Sequence, residues 1–239
     1  MRYLDLTLPT PAENLALDEA LLDEAEGSGC AVETLRLWEP ERPMVVVGRS
    51  SRAGVEVHLD FCRREGIPVL RRASGGAAVV SGPGCLMYGL VLSYRLHPAL
   101  RAVDQAHRFV LEKIASALRT LVPEVACRGT SDLALGELKF SGNSMRVKRD
   151  HLLYHGTLLY AFPLELIEAC LAMPPRQPDY RNGRSHGVFV ANLPLAAPAI
   201  RQALLTAWDA AEPRPDWPRA ATARLAAEKY LPGQVVPSD

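Results

Sequence analysis

Three short runs combine residue types suited to holding negative charge: Arg71-Arg72-Ala73-Ser74-Gly75-Gly76-Ala77-Ala78-Val79-Val80, Lys139-Phe140-Ser141-Gly142-Asn143 and His155-Gly156-Thr157. A Ser-Gly-Gly turn between strand-like runs lets main-chain N–H groups approach an anion with no Cβ in the way. Arg72 adds a fork for bidentate contact and Lys139 a mobile point charge. Asp132, seven residues before Lys139, is placed to orient that ammonium or to hold an incoming amine, and His155 to pack against a ligand or orient a neighbour. Each also has a plainer reading. A Gly-Gly turn between strands is commonly a hairpin, a lone lysine is ordinarily solvated, a loop Asp is often a turn former, and a histidine on a strand is often a satisfied core residue. His151 and His155 have no Cys or third acidic ligand placed with them, so no protein-held metal is expected.

The elements that must position these residues follow from periodicity and punctuation. Thr10-Pro11-Ala12-Glu13 opens a helix with a capping box and a proline in its first turn, and Leu17 and Leu21 share its face. LRLWEP and PMVVVGR read as strands about a PERP turn, and residues 55–64 read as a helix ahead of Gly66-Ile67-Pro68. Val69-Leu70 and residues 77–80 flank the Ser-Gly-Gly turn, and 86–94 and 152–160 read as strands. The clearest helix is 104–121, with Val110, Ile114, Leu118 and Leu121 on one stripe and Pro123 after it. Further helices are expected at 163–171 and at 198–210, the latter with Ile200, Leu204 and Trp208 in line, and a short periodic piece spans 220–230. Strands and helices mixed without strict βαβ alternation predict an α+β fold, a mixed and largely antiparallel sheet flanked by helices.

Composition narrows the class. The chain has 239 residues, 48% hydrophobic and 23% charged, with a formal net charge of zero. One domain over residues 1–239 is the default expectation at this length. Balanced charge gives no global field for nucleic acid or an anionic membrane. Cys30, Cys62, Cys85, Cys127 and Cys170 are odd in number and contain no C-x-x-C, which argues against a disulfide framework or a zinc site. The first residues form no apolar signal region, and no run approaches the ~18 apolar residues that span a bilayer. A cytoplasmic protein is expected.

The runs RRASGGAAVV, SDLALGELKFSGNS and YHGTLLY, with NLALDEALL and VVVGRSS upstream, resemble the lipoate-protein ligase A family of the wider biotin and lipoate ligase group. The resemblance covers about residues 1–195 and implies that group's catalytic-domain fold. It also implies a reaction: lipoate and ATP, with Mg2+ accompanying the nucleotide, give lipoyl-AMP, and the acyl group then passes to a lysine of a lipoyl domain. The acceptors it suggests are acyltransferase subunits of 2-oxoacid dehydrogenases or a glycine-cleavage H protein. Residue by residue, it implies Lys139 as the catalytic cation. It further implies a lipoate and ATP site at Arg72, Ser74, Gly75, Gly76, Ala77, Ala78, Val79, Val80, Asp132, Ser141, Gly142, His155, Gly156 and Thr157. Arg72 is expected to face the phosphate or carboxylate.

Ala77 stands where the family usually has a third glycine, and the chain lacks both a W-x-W-N segment and room for the C-terminal accessory domain of larger relatives. Activity is therefore expected either to be limited to transfer from preformed lipoyl-AMP or to need a separate accessory chain as partner. Related octanoyltransferases act from acyl carrier protein through a cysteine thioester; an octanoyl or lipoyl transferase acting from an acyl carrier protein or another lipoylated protein is the alternative, which leaves Cys85 and Cys170 as alternative nucleophiles. A ligand-binding module without turnover is the non-enzymatic alternative; a biotin ligase is disfavoured by the missing G-R-G-R-x-G loop.

Overall fold

The computed structural model describes residues 1–230. β1 (Arg2–Asp5) leads to α1 (Pro11–Gly27), which starts at the expected capping box: Thr10 Oγ1 accepts from the Glu13 N–H and the Glu13 carboxylate accepts from the Thr10 N–H. β2 (Thr34–Trp38) and β3 (Met44–Val47) come next. The single helix expected over 55–64 is instead two, α2 (Ala53–Glu56) and α3 (Leu59–Arg64). The break falls where Val57 forms an isolated bridge with Leu171, a tertiary pairing that overrides the local helical pattern. The order continues with β4 (Val69–Arg71), β5 (Val79–Ser81), β6 (Cys85–Ser93), α4 (Val103–Arg119), β7 (Val125–Arg128), β8 (Asp132–Leu135), β9 (Leu138–Val147) and β10 (His151–Leu159). α5 (Glu165–Cys170), α6 (His186–Phe189), α7 (Ala197–Ala207), β11 (Glu212–Pro213) and α8 (Arg219–Lys229) complete it.

Eight strands form the main sheet in the order β11-β1-β2-β6-β10-β9-β8-β7. β1 runs parallel to β11 and β2, and the remaining pairs are antiparallel. A second sheet, β4-β3-β5, pairs β3 parallel with β4 and antiparallel with β5. The architecture is the mixed, largely antiparallel α+β arrangement predicted. One detail differs. β3 lies between β4 and β5, so the Ser-Gly-Gly run is a loop crossing over a central strand and not a hairpin turn.

Helices cover both faces of the main sheet, which is why all nine residues of β6 are buried. Alternation divides them: Leu86, Tyr88, Leu90 and Leu92 pack in the cluster with Val110, Ile114 and Leu118 of α4, while Val91 joins Leu17, Leu21 and Leu22 of α1. Ile200 and Leu204 of α7, with Trp208 just beyond it, are buried as their spacing predicts. Between β8 and β9 a bulge intervenes. Ala134 pairs with Lys139 but Leu133 with Ser141, leaving Phe140 as an extra residue that enters the α4 core. Bulges re-aim side chains, and this one sits at the candidate lysine.

Candidate active site

The Ser74–Ala78 loop is held by its carbonyls. Arg72 Nε donates to Ser74 Oγ at 3.1 Å, Nη1 to the Val46 carbonyl at 3.0 Å, and Nη2 to the carbonyls of Gly75 and Ala77 at 2.5 and 3.0 Å. The guanidinium expected to face an anion thus closes on its own loop, and burial pushes it down to about 10 against the opposing pull of Glu56. The Ser74 carbonyl accepts from the Arg49 N–H at 2.8 Å and the Gly76 carbonyl from Ser51 Oγ at 2.9 Å. Arg71 braces the facing segment through the carbonyls of Gly48, Arg49 and Ser51. The N–H groups of Gly75, Gly76 and Ala77, by contrast, donate to no acceptor among the described residues. The loop therefore spends its carbonyls within the protein and leaves these three amides unspent, donors of the kind that can hold an anion.

Gly76 has φ +90°, and a Cβ there would lie 2.8 Å from Arg72 Nη2; at Gly75 a Cβ would meet nothing within 4 Å. Among the described residues only Asn182 and Asp209 combine a side chain with positive φ, so Ala77 carries no backbone strain despite replacing the family's glycine.

Lys139 stands on β9. Its Nζ lies 2.7 Å from Asp132 Oδ1, an ion pair whose carboxylate is nearly buried while the ammonium is partly exposed. Tyr180 donates to the other carboxylate oxygen at 2.9 Å. Gly142, three residues on, leaves the room: a Cβ there would come within 3.1 Å of Lys139 Cε and Nζ. The Lys-x-Ser-Gly spacing is thus the lysine lying back over its own strand. Gly156 plays a similar part, because a Cβ would sit 1.8 Å from Asn143 Oδ1, the atom that accepts from the Tyr88 hydroxyl.

A row across four strands faces α1: Arg36, Gly89, His155 and Ser144 are successive ladder partners on β2, β6, β10 and β9. Asp18 of α1 fills the space over Gly89. Its Oδ1 accepts from Arg36 Nη1 at 2.6 Å, and its Oδ2 lies 3.8 Å from His155 Nδ1. Burial works to raise the Asp18 carboxyl, but Arg36 and His155 hold it below its usual range. His155 Nε2 reaches Ser74 Oγ at 2.5 Å, and Ser74 Oγ also bonds Ser144 Oγ at 2.7 Å, tying the loop to the sheet. His151 faces Glu26 instead. Among the described residues no group of three or more His, Cys, Asp or Glu is placed to hold a metal ion.

Two cavities meet here. One, of about 140 Å³, is lined by Glu56, Val80, Ser141, Ile167, Arg181 and Phe189 among others; the second, of about 350 Å³, by Leu15, Asp18, Val46, Met87, His155 and Gly156 among others. Ala77, Ala78, Val79, Lys139, Gly142, Thr157 and Arg176 border both. Arg72 and Asp132 border the larger cavity, whereas Ser74 and Gly75 sit behind the walls. Asp18, Arg36, Glu56, Asn143, Arg176, Tyr180 and Arg181 are not singled out as site residues by the sequence reading; Asp18, Arg36, Glu56 and Asn143 lie within runs already noticed, whereas Arg176, Tyr180 and Arg181 lie in none. The alternative nucleophiles are poorly placed for catalysis. Cys85 and Cys170 are fully buried, and burial pushes both up to about 12. Among the described residues no helix is long and apolar enough to cross a membrane.

Comparison with known proteins fits this geometry. The model of the lipoyl protein ligase A/B catalytic domain matches residues 10–203. A protein of Aeropyrum pernix, provisionally named lipoate-protein ligase A, is 36% identical over 157 residues, 65% of this chain and 56% of that one. The chain spans about half the length of the curated relatives it matches. Among solved structures, a bi-partite lipoate protein ligase from Thermoplasma acidophilum, described with its E2 lipoyl domain, superposes with TM-score 0.75 at 24% identity, covering 95% of this chain and 90% of that one. A lipoate-protein ligase A bound with ATP gives TM-score 0.75 at 23% identity over 95% of this chain and 92% of the other. Matched by the family model over most of its length, the chain belongs to the lipoyl protein ligase A/B catalytic domain family.

Proposed function

We propose that this chain is the catalytic unit of a lipoate-protein ligase: it joins lipoate to ATP as lipoyl-AMP, releasing diphosphate, and passes the lipoyl group to a lysine of a lipoyl domain. One observation carries the reading: Lys139 borders both cavities, which share that stretch of wall. Two ligands that must react end to end need such a junction, and a cation held there offsets the repulsion between carboxylate and α-phosphate and the charge that grows in the transition state. The acyl chain suits the larger cavity. Its walls include Leu15, Val46 and Met87, and at that end the charges of Asp18 and Arg72 are answered by Arg36 and by loop carbonyls, while Lys139 and Arg176, the latter unpaired among the described residues, border both cavities. The nucleotide then takes the smaller cavity, with the amide of Ala77, unpaired among the described residues and on a residue that borders both cavities. In the second half-reaction the acceptor amine attacks the acyl carbonyl, AMP leaves, and Lys139 polarises the same junction. Mg2+ would enter with the triphosphate, and an accessory chain is a candidate partner for the adenylation step.

Mass spectrometry of an apo lipoyl domain incubated with the protein, lipoate and ATP tests the reading. A mass gain of one lipoyl group that requires ATP supports it. Modification only from octanoyl carrier protein, without ATP, replaces it with the transferase alternative, and tight lipoate binding with no modification of any lipoyl domain replaces it with a binding module.

A further inference from the structure

Among the described residues four arginines are buried, and three of them have their charge answered. Arg36 pairs with Asp18, Arg214 with Glu24, and Arg72 is enclosed by loop carbonyls. Arg181 differs. It is 3% exposed and has no carboxylate partner among the described residues; Nε donates to the Arg184 carbonyl at 2.8 Å and Nη2 to Met173 Sδ at 3.2 Å. Its guanidinium stacks over Phe189 at 4.7 Å and lines the smaller cavity. The carboxylates of the site are engaged elsewhere: Asp132 by Lys139 and Tyr180, Glu56 by the Ala78 N–H. Arg176, exposed and bordering both cavities, has no hydrogen-bond or ion-pair partner among the described residues, and Arg184 donates only to carbonyls.

An uncompensated buried charge is costly unless a ligand completes it. A guanidinium that stacks by its face and spends Nε and one Nη2 hydrogen on the protein keeps its Nη1/Nη2 end for an oxyanion, and phosphate matches that end bidentately. We infer that Arg181, assisted by Arg176 at the cavity mouth, grips the β- and γ-phosphates of the nucleotide and retains them as the leaving diphosphate. The inference rests on the ligase reading and adds a residue to its first step. The lipoate carboxylate oxygen bonds to the α-phosphorus, the bond from that phosphorus to the bridging oxygen breaks, and the electron pair departs on diphosphate, where Arg181 meets the growing charge. Diphosphate is gone before the acyl group moves to the acceptor lysine, so Arg181 acts on one half-reaction.

The test compares wild type, Arg181→Gln and Arg176→Ala in two assays: lipoate-dependent exchange of labelled diphosphate into ATP, and transfer from preformed lipoyl-AMP to an apo lipoyl domain. Titration with inorganic diphosphate runs alongside. Exchange is expected to fall about 100-fold more than transfer in Arg181→Gln, and about tenfold more in Arg176→Ala, with weaker diphosphate binding in both. Equal losses in the two assays, or diphosphate affinity unchanged in both variants, overturn the inference. Arg176 is exposed, so its variant decides the matter if Arg181→Gln does not fold. A wild type that binds diphosphate through Arg181 but performs no lipoate-dependent exchange refutes the ligase reading and leaves the anion site standing.

Discussion

On one side of the cavities Lys139, Asn143, His155 and Thr157 stand on β9 and β10, strands of 10 and 9 residues inside an eight-stranded sheet; on the other, the Ser74–Ala78 loop hangs between β4 and β5, strands of three residues each. The sheet wall is positioned by ladder hydrogen bonds, so its side chains are left for chemistry. The loop wall has no such ladder and takes its shape from Arg71 and Arg72, whose donors go to main-chain carbonyls. The same residue type that reads as a ligand contact in the sequence is a brace in the fold, because a short loop must satisfy its carbonyls before it can present its amides.

Lys139→Ala tests the sheet wall most severely. Lipoylation of an apo lipoyl domain is expected to slow by about 100-fold or more with the thermal unfolding transition retained; near-normal turnover would remove Lys139 from the mechanism and the contrast with it. Arg72→Lys keeps the charge but loses the fork. Unfolding free energy should drop by about 1–3 kcal/mol, with the KM for lipoate raised about tenfold, and an unaltered denaturation midpoint would show that the loop needs no brace. A paired experiment sharpens the comparison: Gly156→Ala on the sheet should cost about 1–3 kcal/mol through collision with Asn143, whereas Gly75→Ala on the loop should stay within about 0.5 kcal/mol. The smallest effect belongs to thiol chemistry. Iodoacetamide at neutral pH should label exposed Cys30, spare Cys85 and Cys170, and leave lipoylation within about twofold; inactivation tracking Cys85 labelling would place a nucleophile on neither wall as described.

Much of this was legible in the chain because local signals governed it. The Thr10 to Glu13 cap, the α4 stripe from Val110 to Leu118 and the runs of β6 and β10 each depend on neighbours a few residues apart, and the Lys-x-Ser-Gly spacing reflects contact within one strand; Leu121, expected on that stripe, instead lies past the helix end at Arg119 and is exposed. What escaped depends on distance in sequence. Tyr180 reaches Asp132 across 48 residues and Arg36 reaches Asp18 across 18, with no periodicity to announce either. The insertion of β3 between β4 and β5 likewise follows from sheet assembly, which no turn residue encodes, and Val57 left its helix for a partner more than a hundred positions away.

The one-sided Ser74–Ala78 loop has a consequence for how such a protein can change. Its unspent amides belong to the main chain and survive replacement of the side chains at 77 to 79, which border both cavities. On the ligase reading, acyl length and shape can therefore drift through those three positions while the main-chain donors for a charged head group stay as they are.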